Sequence, residues 1–183
     1  MSQYQIAVIV GSIRRDTLNG KLATAVARLA PPDFSFKQLV IADLPLYNQD
    51  EDSNQAESVK RLKSEIAAAQ GLLFATAEYN RSIPGVLKNA IDHASRPYGQ
   101  SAWAGKPAGI LGISVGPIGT ALAQQHLRSV LACLDMPTLG QPEIFIQAKD
   151  DLFDEAGNIG EGSRKFLQGW MDRYVSWVRL HSA

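Results

Sequence analysis

Residues 6–19 read IAVIVGSIRRDTLN. The run Ile6–Val10 is short, unbroken and apolar, as a strand buried on both faces should be, and Gly11 ends it. Beyond the turn, Leu18, Leu22, Ala25, Val26 and Leu29 recur at helical spacing until Pro31-Pro32 stops them. A doubly buried strand leading into a helix points to parallel α/β architecture.

The turn between them has the chemistry of an anion site. It lacks the GK[ST] ending of a P-loop, and with only Gly11 and Gly20 it lacks the G-x-G-x-x-G of a dinucleotide turn. Ser12, Thr17 and Asn19 instead supply short side-chain donors, and Arg14 supplies charge. A helix starting near Thr17 adds free N–H groups and a positive dipole end. Donors of this kind suit a terminal monophosphate. The structural alternative makes Asp16 or Thr17 an N-cap and Ser12 an ordinary turn residue.

The same alternation runs outward to the end of the chain. Phe34–Ile41 reads as a second strand, Asp43–Ser53 as a loop and Ala56–Gln70 as a helix with Val59, Leu62 and Ile66 on one face. Gly71–Thr76 is a third strand, and Pro84 suits the first turn of a helix carrying Val86, Leu87, Ala90, Ile91 and Ala94. Pro107–Val115 is a fourth strand, glycine-rich where something must approach closely. A helix over Gly119–Asp135, a fifth strand at Glu143–Gln147 and a closing helix marked by Phe166, Trp170, Tyr174, Trp177 and Val178 complete the pattern. Five strands alternating with five helices predict a parallel sheet covered on both faces, most simply in order 2-1-3-4-5. That order places a ligand crevice at the carboxyl ends of strands 1 and 3.

Two further loops reach that edge. Thr76–Gly85 (TAEYNRSIPG) offers the flat ring of Tyr79 beside polar backbone, as a planar heterocycle requires. Read alone, Tyr79 also fits a partly packed core residue, and Asn80 and Ser82 fit turn formers. Ser114–Thr120 (SVGPIGT) begins a helix at a strand end, its Gly116 and Gly119 serving either ligand approach or a tight turn.

Bulk properties bound the function. At 183 residues, 45% hydrophobic and 20% charged, the chain fits one soluble α/β domain over residues 1–183. Lysine plus arginine equals aspartate plus glutamate at 18 each, which gives no field to gather nucleic acid or anionic membrane. No run has the length of a membrane span, and Met1-Ser2-Gln3 leads straight into the first strand without a signal peptide. Cys133 stands alone, so an internal disulfide and a thiolate metal cluster are excluded, and its apolar helical context reads as a small core residue. A cytoplasmic location is the expectation. His93, His126 and His181 have no acid–base partners nearby in sequence and read as structural or surface residues. Asp150–Asn158 (DDLFDEAGN) lacks the spacing and terminal Glu of a calcium loop and reads as a surface hairpin or turn.

GSIRRDTLN and TAEYNRSIPGVLKNAID together resemble the NAD(P)H-dependent FMN reductase family of flavodoxin-like proteins, which includes bacterial quinone, azo-dye and chromate reductases. The likeness extends to DLPLYN at 43–48, GKP at 105–107 and HLR at 126–128. The resemblance implies a flavodoxin-like three-layer α/β/α sandwich. It sets Ser12, Arg14, Thr17, Leu18 and Asn19 around the FMN phosphate, Glu78, Tyr79, Asn80 and Arg81 along the isoalloxazine ring, and Ser114 near the flavin. It further implies a two-electron ping-pong enzyme. NADPH or NADH passes hydride to N5 of FMN, and quinones, azo compounds, chromate or free flavin take the electrons from the same place. The chemistry is the flavin's, so no side chain is assigned as catalytic. Arg81 at the ring edge would favour the reduced, anionic flavin and raise its potential. Dimers or tetramers are implied as well.

Two positions depart from the family pattern. Thr17 replaces the commoner serine and keeps the hydroxyl, while Ala77 stands where proline is usual. Losing that proline frees the unfolded chain, at a cost of roughly 0.4–1 kcal/mol. The main alternative function is an electron-transfer flavodoxin. Such carriers are typically acidic, and a net charge of zero argues against one here. A second alternative is a nucleotide- or sugar-phosphate-binding domain without flavin.

Overall fold

A computed structural model describes residues 4–182. The reading of Met1-Ser2-Gln3 as a start without a leader lies outside them. Strands β1 (Tyr4–Gly11), β2 (Phe34–Gln38), β3 (Gly71–Thr76), β4 (Ala108–Ser114) and β5 (Phe145–Gln147) form one parallel sheet in order β2-β1-β3-β4-β5. Between and after them come α1 (Leu18–Ala27), α2 (Glu57–Ala68), α3 (Gly85–Ala94), α4 (Ala121–Cys133) and α5 (Glu161–His181).

Strand periodicity divides the core into two layers. Ile6, Val8 and Val10 of β1, with Leu73, Ala75, Leu111 and Ile113, face α1 and α5. Ala7 and Ile9, with Leu72, Phe74, Ala108 and Ile110, face α2, α3 and α4. The sheet is therefore covered on both sides, which explains why its strands read as continuous apolar runs. The direction of the connections across the sheet reverses between β1 and β3, the switch point at whose carboxyl ends a ligand crevice is expected.

Several boundaries differ from the sequence reading for identifiable reasons. β2 stops at Gln38, although Leu39 and Ile41 are buried. Leu39 still donates to Val8 O at 2.9 Å, but both side chains have turned into the α2–α4 layer as the chain leaves this edge strand. Part of the expected loop 43–53 is a 3₁₀ turn, Gln49–Asn54, started by Asn48 Oδ1 accepting from the Asp50 N–H at 3.2 Å. Pro84 precedes α3 at its N-cap rather than within its first turn. Cys133 is exposed, which corrects its reading as a core residue. The apolar stripe of α4 is carried by Ala123, Leu127 and Leu131, and Cys133 at the last helical position falls off that face.

Glycine in β4 marks close packing by aromatic rings. A Cβ on Gly109 would stand 2.6 Å from the Tyr174 ring, and Tyr174 uses this space to donate its hydroxyl to Leu72 O at 2.9 Å. The stretch 150–158 closes as a hairpin-like turn bridged at Phe153 and Ile159, and Arg28 pins it to α1 through Ala156 O and Asn158 Oδ1. No helix among the described residues is long and apolar enough to cross a membrane.

Candidate active site

The three polar loops meet the sheet edge where β1, β3 and β4 end. In the first, Ser12 is half-buried and its Oγ accepts from the Arg14 N–H at 3.3 Å. Thr17 occupies the N-cap of α1 with extended backbone, yet its hydroxyl makes no capping bond, and no acidic residue lies in the first turn. A Cβ on Gly20 would come within 2.9 Å of the Thr17 methyl, so this glycine makes room for the threonine side chain. The N-terminus of α1 therefore keeps unsatisfied N–H groups and its positive dipole end. Arg14 and Arg15 are exposed and make no ion pair among the described residues. These donors fit a monophosphate, which would satisfy the helix end and meet the Arg14 charge.

Asn19 also has a structural role that its motif position does not announce. It is buried, with Nδ2 donating to Ile113 O at 3.0 Å and Oδ1 accepting from the Ile113 N–H at 3.0 Å. One Nδ2 N–H and Oδ1 are engaged in this way, which leaves the second Nδ2 N–H and the Asn19 backbone N–H for an anion. Its side chain fastens the start of α1 to β4, and Leu18 packs half-buried against the α1–α5 core beside it.

The second loop is a tight turn. Tyr79 and Ser82 exchange two backbone hydrogen bonds of 3.0 Å, and the residues between them, Asn80 and Arg81, have φ of 52° and 64°. Two successive positive φ values are the mark of a type I′ turn. Asparagine tolerates that region readily, whereas arginine pays roughly 1–2 kcal/mol to occupy it. Strain of this kind persists only where neighbours over-determine the conformation. The turn presents Tyr79, Asn80 and Arg81 to solvent, which leaves the packed-core alternative for Tyr79 behind.

Glu78 does something its motif does not disclose. Its Oε2 accepts from the Ala123 N–H of α4 at 3.0 Å. The N-cap of α4 is Thr120, left-handed at φ 70° and without a capping bond of its own, so Glu78 supplies the missing acceptor from another loop. Ser114 donates to Gly116 O at 2.9 Å, which shapes the third loop and leaves the hydroxyl oxygen free to accept. Around these polar groups stand exposed apolar side chains: Ile13 (61%), Tyr79 (52%), Val115 (79%) and Ile118 (53%). An apolar rim about a phosphate-type anchor is what a flat, amphipathic ring system requires.

A cleft of about 600 Å³ lies beside the first loop, between Lys21, Arg28, Gln38 and the turn at 153–157. It is lined by Ser12, Arg14 and Thr17 of the first loop but includes no residue of the second or third loop. His93 and His181 stand apart from the three loops. His93 Nε2 donates to Pro45 O at 2.8 Å and, with Asn89, holds the DLPLYN loop against α3. His181 packs on Trp177.

Known proteins resemble this chain over most of its length. The NADPH-dependent FMN reductase family matches residues 4–151. A 2-hydroxy-1,4-benzoquinone reductase from a Burkholderia species is 57% identical over 176 residues, 96% of each chain. A quinone reductase from Pseudomonas putida is 47% identical over the full length of both chains. Among solved structures, the flavoenzyme NAD(P)H:(acceptor) oxidoreductase FerB of Paracoccus denitrificans superposes with a TM-score of 0.93 at 45% identity, covering 97% of this chain and 98% of its own. With its flavodoxin-like sheet and these relatives, the chain belongs to the NADPH-dependent FMN reductase family and is an oxidoreductase.

Proposed function

We propose that the protein is an FMN-dependent NAD(P)H:quinone oxidoreductase working by a ping-pong mechanism, with residues 1–183 as a single flavodoxin-like FMN-binding domain. The observation that carries this reading is the conjunction at one sheet edge of uncapped α1 donors and an apolar rim on the loops after β1, β3 and β4. Quinone as the acceptor is favoured by the names of the 57% and 47% identical relatives. Azo compounds, chromate and free flavin are secondary acceptors in the same proposal.

FMN, when bound, supplies the N5 position that accepts and returns a hydride. The chain's part is binding and electrostatics. Ser12, Thr17 and the Leu18 and Asn19 N–H groups hold the phosphate, and Arg14 offsets its charge. The turn Glu78–Arg81 lies along the ring system, with Tyr79 as a flat wall that excludes water. Ser114 and the third loop close the other side. Arg81 places a cation where it favours negative charge on the ring. Arg81→Ala should lower the two-electron potential of the bound flavin, and an unchanged potential removes Arg81 from this role.

The deciding experiment titrates apoprotein with FMN and then follows steady-state oxidation of NADH and NADPH against a benzoquinone, an azo dye, chromate and free FMN. One flavin bound per chain and parallel double-reciprocal plots with the quinone are expected. Protein that takes up no flavin, or a holoprotein that fails to oxidise either nucleotide, refutes the reading. The second result would identify an electron carrier instead.

A further inference from the structure

The HLR motif at 126–128 resembles the family pattern but plays no part in holding a cofactor in the reading above. Its first residue has a partner in the strained turn. Nδ1 of His126 and Oγ of Ser82 share a hydrogen bond of 3.0 Å. Three residues earlier on the same helix, the Ala123 N–H donates to Glu78 Oε2 at 3.0 Å. Through a backbone N–H in its first turn and the His126 ring about one turn on, α4 therefore grips the segment 78–82 at both of its ends. Between those grips lie Asn80 and Arg81, at positive φ. The rest of the motif anchors the helix that does the gripping. Arg128 donates to Leu139 O at 2.8 Å and its Nε pairs with Glu143 at 3.2 Å.

We infer that Glu78 and His126 form a two-point clamp by which α4 holds the Tyr79–Ser82 turn in its left-handed conformation, making both positioning residues for the flavin-facing loop. The inference rests on the proposed function for the statement that this loop faces flavin; the clamp itself rests on the hydrogen bonds and dihedrals. Neither side chain acts on the reacting atoms. Glu78 replaces the side-chain cap that Thr120 leaves unmade, and His126 fixes the far end of the turn through a hydroxyl that can donate or accept. Without the clamp, the left-handed conformation must compete with unstrained alternatives. A ligand that needs it then binds more weakly, in proportion to the fraction of molecules still competent.

The test uses full-length apoprotein and two readouts, FMN affinity by titration and hydrogen exchange of the Tyr79 and Ser82 amides. His126→Ala and Glu78→Ala should each weaken FMN binding about five- to tenfold, the effect of losing one hydrogen bond, and speed exchange of both amides by a similar factor. His126→Asn, which keeps a polar atom at the depth of Nδ1, and Glu78→Gln, which keeps a carbonyl acceptor, should restore most of each loss. Ser129→Ala, an exposed neighbour on α4, is the control and should match wild type. Wild-type affinity and exchange in both alanine variants overturn the clamp, as does a loss that the conservative variants fail to restore. If wild-type apoprotein takes up no FMN, the functional reading falls, and the exchange rates alone then decide the clamp.

Discussion

Asn19 shows what one buried amide can do that its motif position does not announce. In GSIRRDTLN it stands among hydroxyls and reads as one more donor, yet both halves of its side chain close on the backbone of Ile113. The bracket joins α1 to a strand two places away in the sheet, and so fixes where the helix dipole points. Asn19→Ala leaves the Ile113 N–H and C=O without these partners in a buried setting, and should cost about 2–3 kcal/mol in urea unfolding. Asn19→Asp should not rescue it, because a carboxylate cannot donate to Ile113 O. Residue type and spacing identified the position as special; they could not identify the partner 94 residues away. Glu78 is a parallel case, since nothing in TAEYN specifies that its carboxylate starts α4.

Elements were legible wherever periodicity ran long, and less so at their ends. β3 matches its predicted span because all six of its residues are buried and Gly71 bounds the run. β2 was read three residues too long, because burial continues after the strand has stopped pairing. The GKP likeness turns out to serve an element end: the Lys106 Nζ donates to Ala67 O and Ala69 O, at the carboxyl terminus of α2. A cation there satisfies free carbonyls and opposes the dipole. Burial lowers the Lys106 pKa below the ordinary lysine range and offsets part of that gain. Lys106→Met should therefore destabilise by only about 1 kcal/mol, with the last turn of α2 losing exchange protection before the sheet does.

Across the whole molecule, α5 is tied to the sheet through Tyr174, which stacks on Trp170 and reaches across Gly109 to Leu72 O. Full burial raises its phenol pKa well above the ordinary value of about 10. In the unfolded chain the phenol ionises near pH 10, so the native state binds the extra proton above that point. The contribution is complete below about pH 10 and is lost as pH rises toward the native pKa. Tyr174→Phe should cost about 1 kcal/mol at neutral pH for the lost hydrogen bond. It should also flatten the fall of unfolding free energy above about pH 10. A slope identical to wild type in that range would show that Tyr174 is not the group responsible.

By itself, the sequence determined the α/β class, the sheet order, the edge at which loops gather and the residue types gathered there. Those follow from local quantities: the period of apolar residues, glycine and proline at element ends, and short motifs. Only the tertiary structure decided which polar groups remain available and which are consumed. Ser12, Thr17 and Arg14 keep side-chain donors without a protein partner, whereas Asn19 and Glu78 each bind a side-chain oxygen to the backbone of β4 and α4. The reason is physical: a buried polar group must find a partner wherever the packed chain offers one, and that partner is set by the three-dimensional arrangement rather than by sequence spacing.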